Sequence, residues 1–159
     1  MKKILDVCCG GRMFWFDRHN PNVLFLDIRE VQPRIVGKGR HGRVRSVLPD
    51  KIMDFRALDI PDSSYPLVVF DPPHFNTLGE KSFMAETYGR LDPLTWREDL
   101  RKGFAECFRV LKPDGVLIFK WNEYDIPVSE VLKLSPYPPL FGHQSGKAAK
   151  THWIAFMKL

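Results

Sequence analysis

The sequence predicts an α/β fold built around an open sheet, and three regularities indicate it. A glycine-containing turn follows an apolar segment almost at the start of the chain, and a helix, a turn and an apolar segment succeed one another over residues 92–121. Four apolar segments also end in an aspartate, in chain order at Asp6, Asp27, Asp54 and Asp71. Ligands of an open α/β sheet bind outside the carboxyl ends of its strands, so we expect these four carboxylates to line one cleft.

The composition predicts one globular domain over residues 1–159. Of these residues, 44% are hydrophobic and 13% are aromatic, which excludes a disordered chain. The length allows one sizeable core and not two. The three cysteines, Cys8, Cys9 and Cys107, form no C-x-x-C pair, so we expect no disulfide framework and no metal site.

Charge and hydropathy restrict the expected cellular location and the expected binding partners. No apolar run is long enough to span a membrane and no secretory leader precedes Ile4, so we expect a cytoplasmic protein without a membrane partner. The net charge is +5 and the pI is about 9.2. This balance favours a polyanionic partner such as nucleic acid.

The first turn lies between two predicted strands. Residues 4–7 predict a strand, the small residues at 8–11 a tight turn, and residues 13–18 a short helix. A second predicted strand ends at Asp27. Asp6 and Asp27 are about twenty residues apart, which is the spacing between the glycine turn and the ribose-binding acid of a βαβ nucleotide site. A dinucleotide fingerprint would need glycines at positions 8, 10 and 13, and only Gly10 fits. An ordinary strand–turn–helix without a ligand stays open.

Residues 29–49 are basic and lack a regular pattern. Six cations are interspersed with three glycines: Arg29, Arg34, Lys38, Arg40, Arg43 and Arg45, with Gly37, Gly39 and Gly42. Such a segment predicts a mobile loop that could follow a phosphate backbone, with Arg40 and Arg43 as candidate contacts. A solvated surface is the alternative. Residues 52–54 then predict a third strand that ends at Asp54.

Residues 68–75 are the candidate catalytic segment. Residues 68–70 predict a strand buried on both faces, and the two prolines that follow must end it, because a proline fixes its own φ and donates no N–H. Asp71 is thereby held at a strand tip, beside the Pro72 carbonyl and the His74 ring. An amine conjugated to an aromatic ring becomes a good nucleophile when two acceptors take its hydrogens and a flat side chain holds the ring. Asp71 and the Pro72 carbonyl supply the two acceptors, and the His74 ring supplies the flat side chain.

The remaining segments complete the predicted domain. A polar loop over 76–89 is expected to act as a lid over the substrate. Asp92 and Pro93 start a helix whose buried stripe consists of Leu100, Phe104, Phe108 and Leu111. Beyond it the sequence predicts a turn at 112–115, a strand at 116–121, a short helix at 127–134, an irregular edge at 136–141, a second basic loop at 142–150 and a last strand at 151–158.

Asp71-Pro72-Pro73 and the turn at 6–11 resemble two motifs of the class I, S-adenosylmethionine-dependent methyltransferases. The first motif is the D/N/S-P-P-aromatic signature of the amino-methyltransferases, which mostly methylate the exocyclic amine of adenine, cytosine or guanine. The second is the D-x-G-x-G turn. The match is incomplete, because His74 stands where Tyr, Phe or Trp is usual and Cys8 replaces the first glycine.

The resemblance implies a Rossmann-like, doubly wound and mostly parallel sheet of about seven strands, with an antiparallel C-terminal edge strand. It implies S-adenosyl-L-methionine as the cofactor, bound by Asp6, Cys8, Gly10, Gly11, Asp27 and Asp54, of which Asp27 meets the ribose and Asp54 the adenine. It also implies a catalytic set of Asp71, Pro72, Pro73 and His74. In this set Asp71 and the Pro72 carbonyl hold the amine, and His74 stacks on the base. Phe75, Arg40 and Arg43 are then the candidates for further substrate contacts.

We therefore expect transfer of a methyl group to an exocyclic amine of a nucleic-acid base, with adenine favoured and DNA and RNA both open. One alternative is a methyltransferase acting on a small molecule or a protein amide. A second is a catalytically silent subunit that binds the cofactor or nucleic acid. No separate target-recognition domain is expected within residues 1–159, so recognition falls to the loops at 29–49, 76–90 and 142–150, to a homodimer or to a specificity subunit.

Overall fold

The structure is a computed structural model that describes residues 1–36, 43–76 and 89–159. Its strands and helices are, in chain order, β1 (Ile4–Asp6), β2 (Val23–Asp27), β3 (Val31–Val36), β4 (Arg43–Val47), β5 (Lys51–Ile52), β6 (Tyr65–Phe70), α1 (Trp96–Val110), β7 (Leu111–Asn122), α2 (Val128–Leu132), β8 (Phe141–Ser145) and β9 (Thr151–Met157). Among the residues described, no helix is long and apolar enough to cross a membrane.

Seven strands form one sheet in the order β5-β2-β1-β6-β7-β9-β8. Strands β5, β2, β1, β6 and β7 run parallel, whereas β9 is antiparallel to β7 and β8 is antiparallel to β9. The chain leaves β1 towards β2 on one side and later returns to β6 on the other, so the strand order reverses beside β1. The predicted Rossmann-like fold is confirmed, with its antiparallel strands at the C-terminal edge. A ligand cleft is expected at this reversal.

The core lies between α1 and one face of the sheet. The predicted stripe of Leu100, Phe104 and Phe108 is buried, and the Phe104 ring lies 5.2 Å from Phe70 and 4.9 Å from Phe119. The helix begins at Trp96, four residues after Asp92, because residues 92–95 form a turn in which the Asp92 carboxylate and carbonyl accept backbone N–H groups.

The expected helix at 13–18 is absent, and this prediction was wrong. The segment folds as successive turns, because its aromatic side chains are fixed by separate contacts. Trp15 packs edge-on against Phe25 of β2 at 5.4 Å, and its indole N–H donates to Asp6 at 2.8 Å. Phe14 contacts Trp153 at 5.2 Å. Trp15 therefore packs against β2 from the segment in which a helix was expected.

The expected loop at 29–49 is instead an antiparallel hairpin of β3 and β4, separate from the main sheet. β4 contains Val44 and Val47, and β3 contains Val31, Ile35 and Val36; β-branched residues favour extended backbone. Lys38, Arg40 and the three glycines of this segment lie outside the residues that the structure describes. Arg43 lies in β4.

Two other boundaries differ from expectation. Residues 112–115 lie inside β7 as an irregularity, since the pairing with β6 shifts from Tyr65↔Leu111 to Leu67↔Val116. The start of the expected second basic loop is ordered as β8, which pairs with β9 from Phe141 to Ser145. In the first segment the Asp114 N–H donates to the Lys158 carbonyl at 2.8 Å and the Gly115 carbonyl accepts the Lys158 N–H at 3.0 Å, and in the second the ladder with β9 pairs the backbone. The proposed lid is left untested, because residues 77–88 are outside the described ranges.

Candidate active site

A cavity of about 280 Å³ opens at the carboxyl ends of β1, β2 and β6. Three segments line it, each following one of these strands: residues 7–11 with Met13 and Phe14, residues 27–29, and residues 71–74. Phe55, Gly89, Arg90 and Lys120 complete the wall. The cleft expected at the reversal of strand order is therefore present, and it brings the predicted cofactor turn and the predicted catalytic segment together.

The glycine turn presents its backbone to this cavity. Gly10 has φ +48°, a conformation that favours glycine, and a Cβ built there would meet no heavy atom within 4 Å. Its N–H donates to Asp27 Oδ2 at 2.9 Å, while the N–H of Cys9 donates to the Leu26 carbonyl at 2.8 Å. The turn is thus tied to the end of β2 and leaves open space in front of its backbone.

Asp27 lies at the wall of the cavity and is only 6% exposed. Besides the Gly10 N–H, its carboxylate accepts the Arg29 backbone N–H at 3.0 Å and faces the Arg29 side chain at 3.4 Å. These bonds fix the carboxylate at the end of β2, where the sequence predicts a ribose-binding acid.

Asp6 is fully buried and lies behind the turn rather than in the cavity wall. It accepts the Trp15 indole N–H at 2.8 Å and the Cys8 N–H at 3.2 Å. Burial raises the pKa of Asp6 to about 7, against these two hydrogen bonds and with a smaller contribution from the charges of Asp71 and Asp27. Part of its population is therefore protonated near neutral pH.

Asp71 follows β6 directly and lines the cavity with the two prolines and His74. Burial raises the pKa of Asp71 to about 6, and the ammonium group of Lys120 opposes that rise. The Lys120 Nζ lies 3.7 Å from Asp71 Oδ2. The carboxylate is consequently ionised at neutral pH while still partly shielded from solvent.

Lys120 is a site residue that the sequence reasoning missed. Its neighbours Phe119 and Trp121 are fully buried towards α1, so alternation along β7 points Lys120 to the opposite face. There its ammonium group lies 5.3 Å from the Phe14 ring centroid and 5.5 Å from that of Trp153. The single cation within the apolar run at 116–121 was the signal available in the sequence.

The His74 ring lines the cavity, and its centroid lies 4.3 Å from that of Phe75. Burial lowers the pKa of His74 to about 4, with the charge of Lys120 acting in the same direction. The ring is therefore a neutral, flat surface at physiological pH. Phe75 is absent from the cavity wall and contacts Tyr124 as well as His74, so it supports the histidine from behind.

Asp54 is not brought to this cavity. Its carboxylate is bound by Arg56, which donates to both oxygens at 2.6–3.1 Å, and the same arginine holds the pKa of Asp54 below its usual range. Phe55, the next residue, lines the wall in its place. The predicted contact of Asp54 with a cofactor adenine therefore finds no support in the geometry.

The two cysteines of the turn are not poised as nucleophiles. Burial raises the pKa of Cys9 to about 12 and that of Cys8 well above its usual range, and the nearby aspartates add to both effects. The thiolate is the reactive form of cysteine. Cys8 and Cys9 thus act as small, neutral lining groups.

No protein-family model matches the chain, and no curated protein matches it. Solved structures do share its fold. The PH0226 protein of Pyrococcus horikoshii has a TM-score of 0.63 at 16% identity, over 99% of this chain and 82% of that one. A SAM-dependent methyltransferase from Methanosarcina mazei has 0.58 at 14% identity, over 99% and 92%. The 1,6-didemethyltoxoflavin-N1-methyltransferase of Burkholderia thailandensis, with bound S-adenosylhomocysteine, has 0.55 at 12% identity, over 99% and 72%. The chain therefore has the fold of S-adenosylmethionine-dependent methyltransferases.

Proposed function

We propose that this chain is an S-adenosylmethionine-dependent N-methyltransferase that acts on an exocyclic amine of a nucleic-acid base, with adenine favoured. The observation that carries the proposal is the position of Asp71, a proline-backed carboxylate in the wall of the same cavity as the glycine turn and Asp27. The shared fold supports the cofactor, and the Asp71-Pro72-Pro73 turn supports the amine acceptor.

The residues at the first two strand ends suit this cofactor. The open space before Gly10 allows an amino-acid moiety to approach the backbone closely, and Asp27 offers a fixed carboxylate for ribose hydroxyl groups. Ile28 and Phe55 supply an apolar flank for a ring. Carboxylates rather than a phosphate cradle fit a cationic sulfonium. When bound, the cofactor supplies an electrophilic methyl group.

The catalytic segment orients the acceptor. Asp71 and the Pro72 carbonyl accept the two amine hydrogens, which turns the nitrogen lone pair out of the ring plane, and the neutral His74 ring stacks on the base. Well-aligned reactions gain on the order of 7–11 kcal/mol from such positioning. The nitrogen becomes acidic only after it has gained the methyl group, so Asp71 can then take its proton without being a strong base.

The test is incubation with labelled S-adenosylmethionine and separate pools of DNA, ribosomal RNA and transfer RNA, followed by nucleoside analysis. We expect label in an N-methylated base. Asp71→Ala should abolish transfer and leave cofactor affinity nearly unchanged, because the cofactor turn is tied to Asp27 instead. Asp59→Ala, at an exposed aspartate that does not line the cavity, is the matched control. Loss of cofactor binding in Asp71→Ala would show that Asp71 is misassigned.

A small-molecule acceptor is the second candidate, favoured by the likeness to the toxoflavin N1-methyltransferase. It predicts transfer to free heterocyclic amines or to peptides in the same assay and none to polymers. Cofactor binding without turnover on any acceptor would instead indicate a silent binding subunit.

A further inference from the structure

The β3–β4 hairpin stands apart from the sheet that builds the core. It forms its own two-stranded sheet, and the cross-strand neighbours Ile35 and Val44 are 74% and 66% exposed. Arg34 and Arg43, on the other face, are exposed as well. An isolated two-stranded hairpin is marginally stable in water. Val47, at the end of β4, is buried, so the hairpin is anchored at that end and exposed at Ile35, Arg43 and Val44.

One face of the hairpin concentrates positive charge. Side chains alternate between faces along a strand, so Arg34, Arg43 and Arg45 share a face, and Arg34 lies directly opposite Arg45. Like charges in that position destabilise a sheet. Residues 31–49 contain five Lys and Arg and no Asp or Glu. Those five charges equal the net charge of the whole chain, +5, so the remainder of the chain is electrically balanced.

The hairpin is rooted at the cavity. Ile28 and Arg29 line the cavity immediately before β3 begins. After β4, the Leu48 carbonyl accepts a hydrogen bond from the Arg12 guanidinium at 2.6 Å, and the Ser46 carbonyl lies 3.5 Å from the Cβ position of Gly11. The base of the hairpin thus adjoins the cavity whose wall contains Asp71.

We propose that the β3–β4 hairpin is a DNA-binding arm that enters the major groove of B-form duplex, with the exposed Arg34 and Arg43 towards the phosphates. The inference rests on the proposed function for its choice of nucleic acid and narrows the acceptor to duplex DNA. A two-stranded ribbon fits the wide major groove of B-form DNA, whereas the major groove of A-form RNA is too deep and narrow for side-chain readout. The unbalanced charge of the hairpin supplies the electrostatic attraction.

The test measures fluorescence anisotropy of a labelled DNA duplex over a salt series. Arg34→Gln/Arg43→Gln is compared with Arg101→Gln/Lys102→Gln, which removes the same charge from two exposed positions of α1. We expect the hairpin variant to bind on the order of tenfold more weakly at about 0.1 M salt, with a slope of log K against log salt reduced by about two. The α1 variant should bind as the parent does.

Equal loss in both variants would overturn the proposal, since it would show a non-specific charge effect. Equal or tighter binding of an RNA duplex of the same sequence, or of single-stranded DNA, would overturn it as well. Thermal unfolding checks that the hairpin variant is folded.

The outcome is separable from that of the methylation assay. Asp71→Ala should retain the duplex affinity of the parent. Duplex binding that depends on the hairpin, without methylation of any acceptor, would support the arm and refute the proposed function. Methylation of DNA with unchanged kcat/KM in Arg34→Gln/Arg43→Gln would support the function and refute the arm.

Discussion

At the scale of single residues, Asp71 is subject to two opposing influences. Burial favours its protonated form, and the Lys120 ammonium 3.7 Å away favours its charged form. In the proposed reaction only the ionised carboxylate can take the proton that the nitrogen loses once it is methylated. We therefore propose Lys120 as a positioning residue, because it would act on the acceptor through Asp71.

We expect kcat/KM for methyl transfer to fall as the pH drops through about 6, the pKa of Asp71. Replacing Lys120 by Met keeps the bulk of the side chain and removes the charge that lowers this pKa. In Lys120→Met the acid limb should therefore move to higher pH, as a pH–rate profile would measure. Lys102→Met, on exposed α1 surface, should leave the limb in place. If the acid side of the pH–rate profile is unchanged in Lys120→Met, Lys120 does not lower the pKa of Asp71.

Most of the candidate site could be predicted from local sequence, because a strand end fixes where its next residues go. The structure places eight predicted residues in one cavity wall, Cys8, Gly10, Gly11, Asp27, Asp71, Pro72, Pro73 and His74. Asp54 was expected there too, but an arginine two residues later binds its carboxylate. Lys120 was missed because its role comes from pairing between β6 and β7, which brings residues 49 positions apart together.

At the scale of elements, α1 approaches the sheet through a glycine. A Cβ built on Gly103 would lie 2.6 Å from the Phe55 ring and 2.7 Å from the Phe70 ring. Phe70 ends β6 just before Asp71, and Phe55 lines the cavity. The helix therefore packs against one ring that lines the cavity, Phe55, and against the ring that precedes Asp71, Phe70.

Gly103→Ala should lower the free energy of unfolding by on the order of 1 kcal/mol, because the clash outweighs the gain of about 0.8–1.0 kcal/mol in helix propensity. Displacement of Phe55 should also weaken cofactor binding. Urea unfolding and calorimetric titration would measure the two effects. Lys102→Ala, the adjacent exposed position, should change neither. A more stable Gly103→Ala variant would contradict the packing described here.

Elements with a strong local sequence pattern were predictable, whereas elements whose conformation depends on tertiary contacts within the chain were not. The strands ending at Asp6, Asp27 and Asp71 and the buried stripe of α1 follow from apolar periodicity. The hairpin at 31–47 was interpreted as a loop, because its arginines and glycines obscure its β-branched residues. The turns at 13–18 depend on the contacts of Trp15 with Asp6 and Phe25. No local sequence pattern specifies these contacts.

At the scale of the whole molecule, the convergence of strand ends concentrates negative charge. Asp6, Asp27 and Asp71 lie at or directly after the ends of neighbouring strands. Burial raises the pKa of Asp6 to about 7, and the negative charges of Asp71 and Asp27 contribute to this rise. A carboxyl whose pKa is higher in the folded than in the unfolded state stabilises the fold below its unfolded pKa, near 4. That contribution is lost as the pH rises through about 7.

Asp6→Asn should therefore stabilise the unliganded protein more at pH 8.5 than at pH 5. The amide oxygen can still accept the Trp15 indole N–H, and the buried charge is gone. Each unit of pKa shift corresponds to about 1.4 kcal/mol, so the difference between the two pH values should reach a few kcal/mol in urea unfolding. An equal effect of the substitution at both pH values would exclude a charged Asp6.

The fold class was predictable because the sheet order follows from few rules once parallel strands are recognised. The chain order alone could not show that the second crossover is made by a hairpin. That hairpin contributes no strand to the seven-stranded sheet. In the proposed enzyme, exchanging residues 32–46 would therefore change the affinity for duplex DNA while leaving in place the strands that end at Asp27 and precede Asp71.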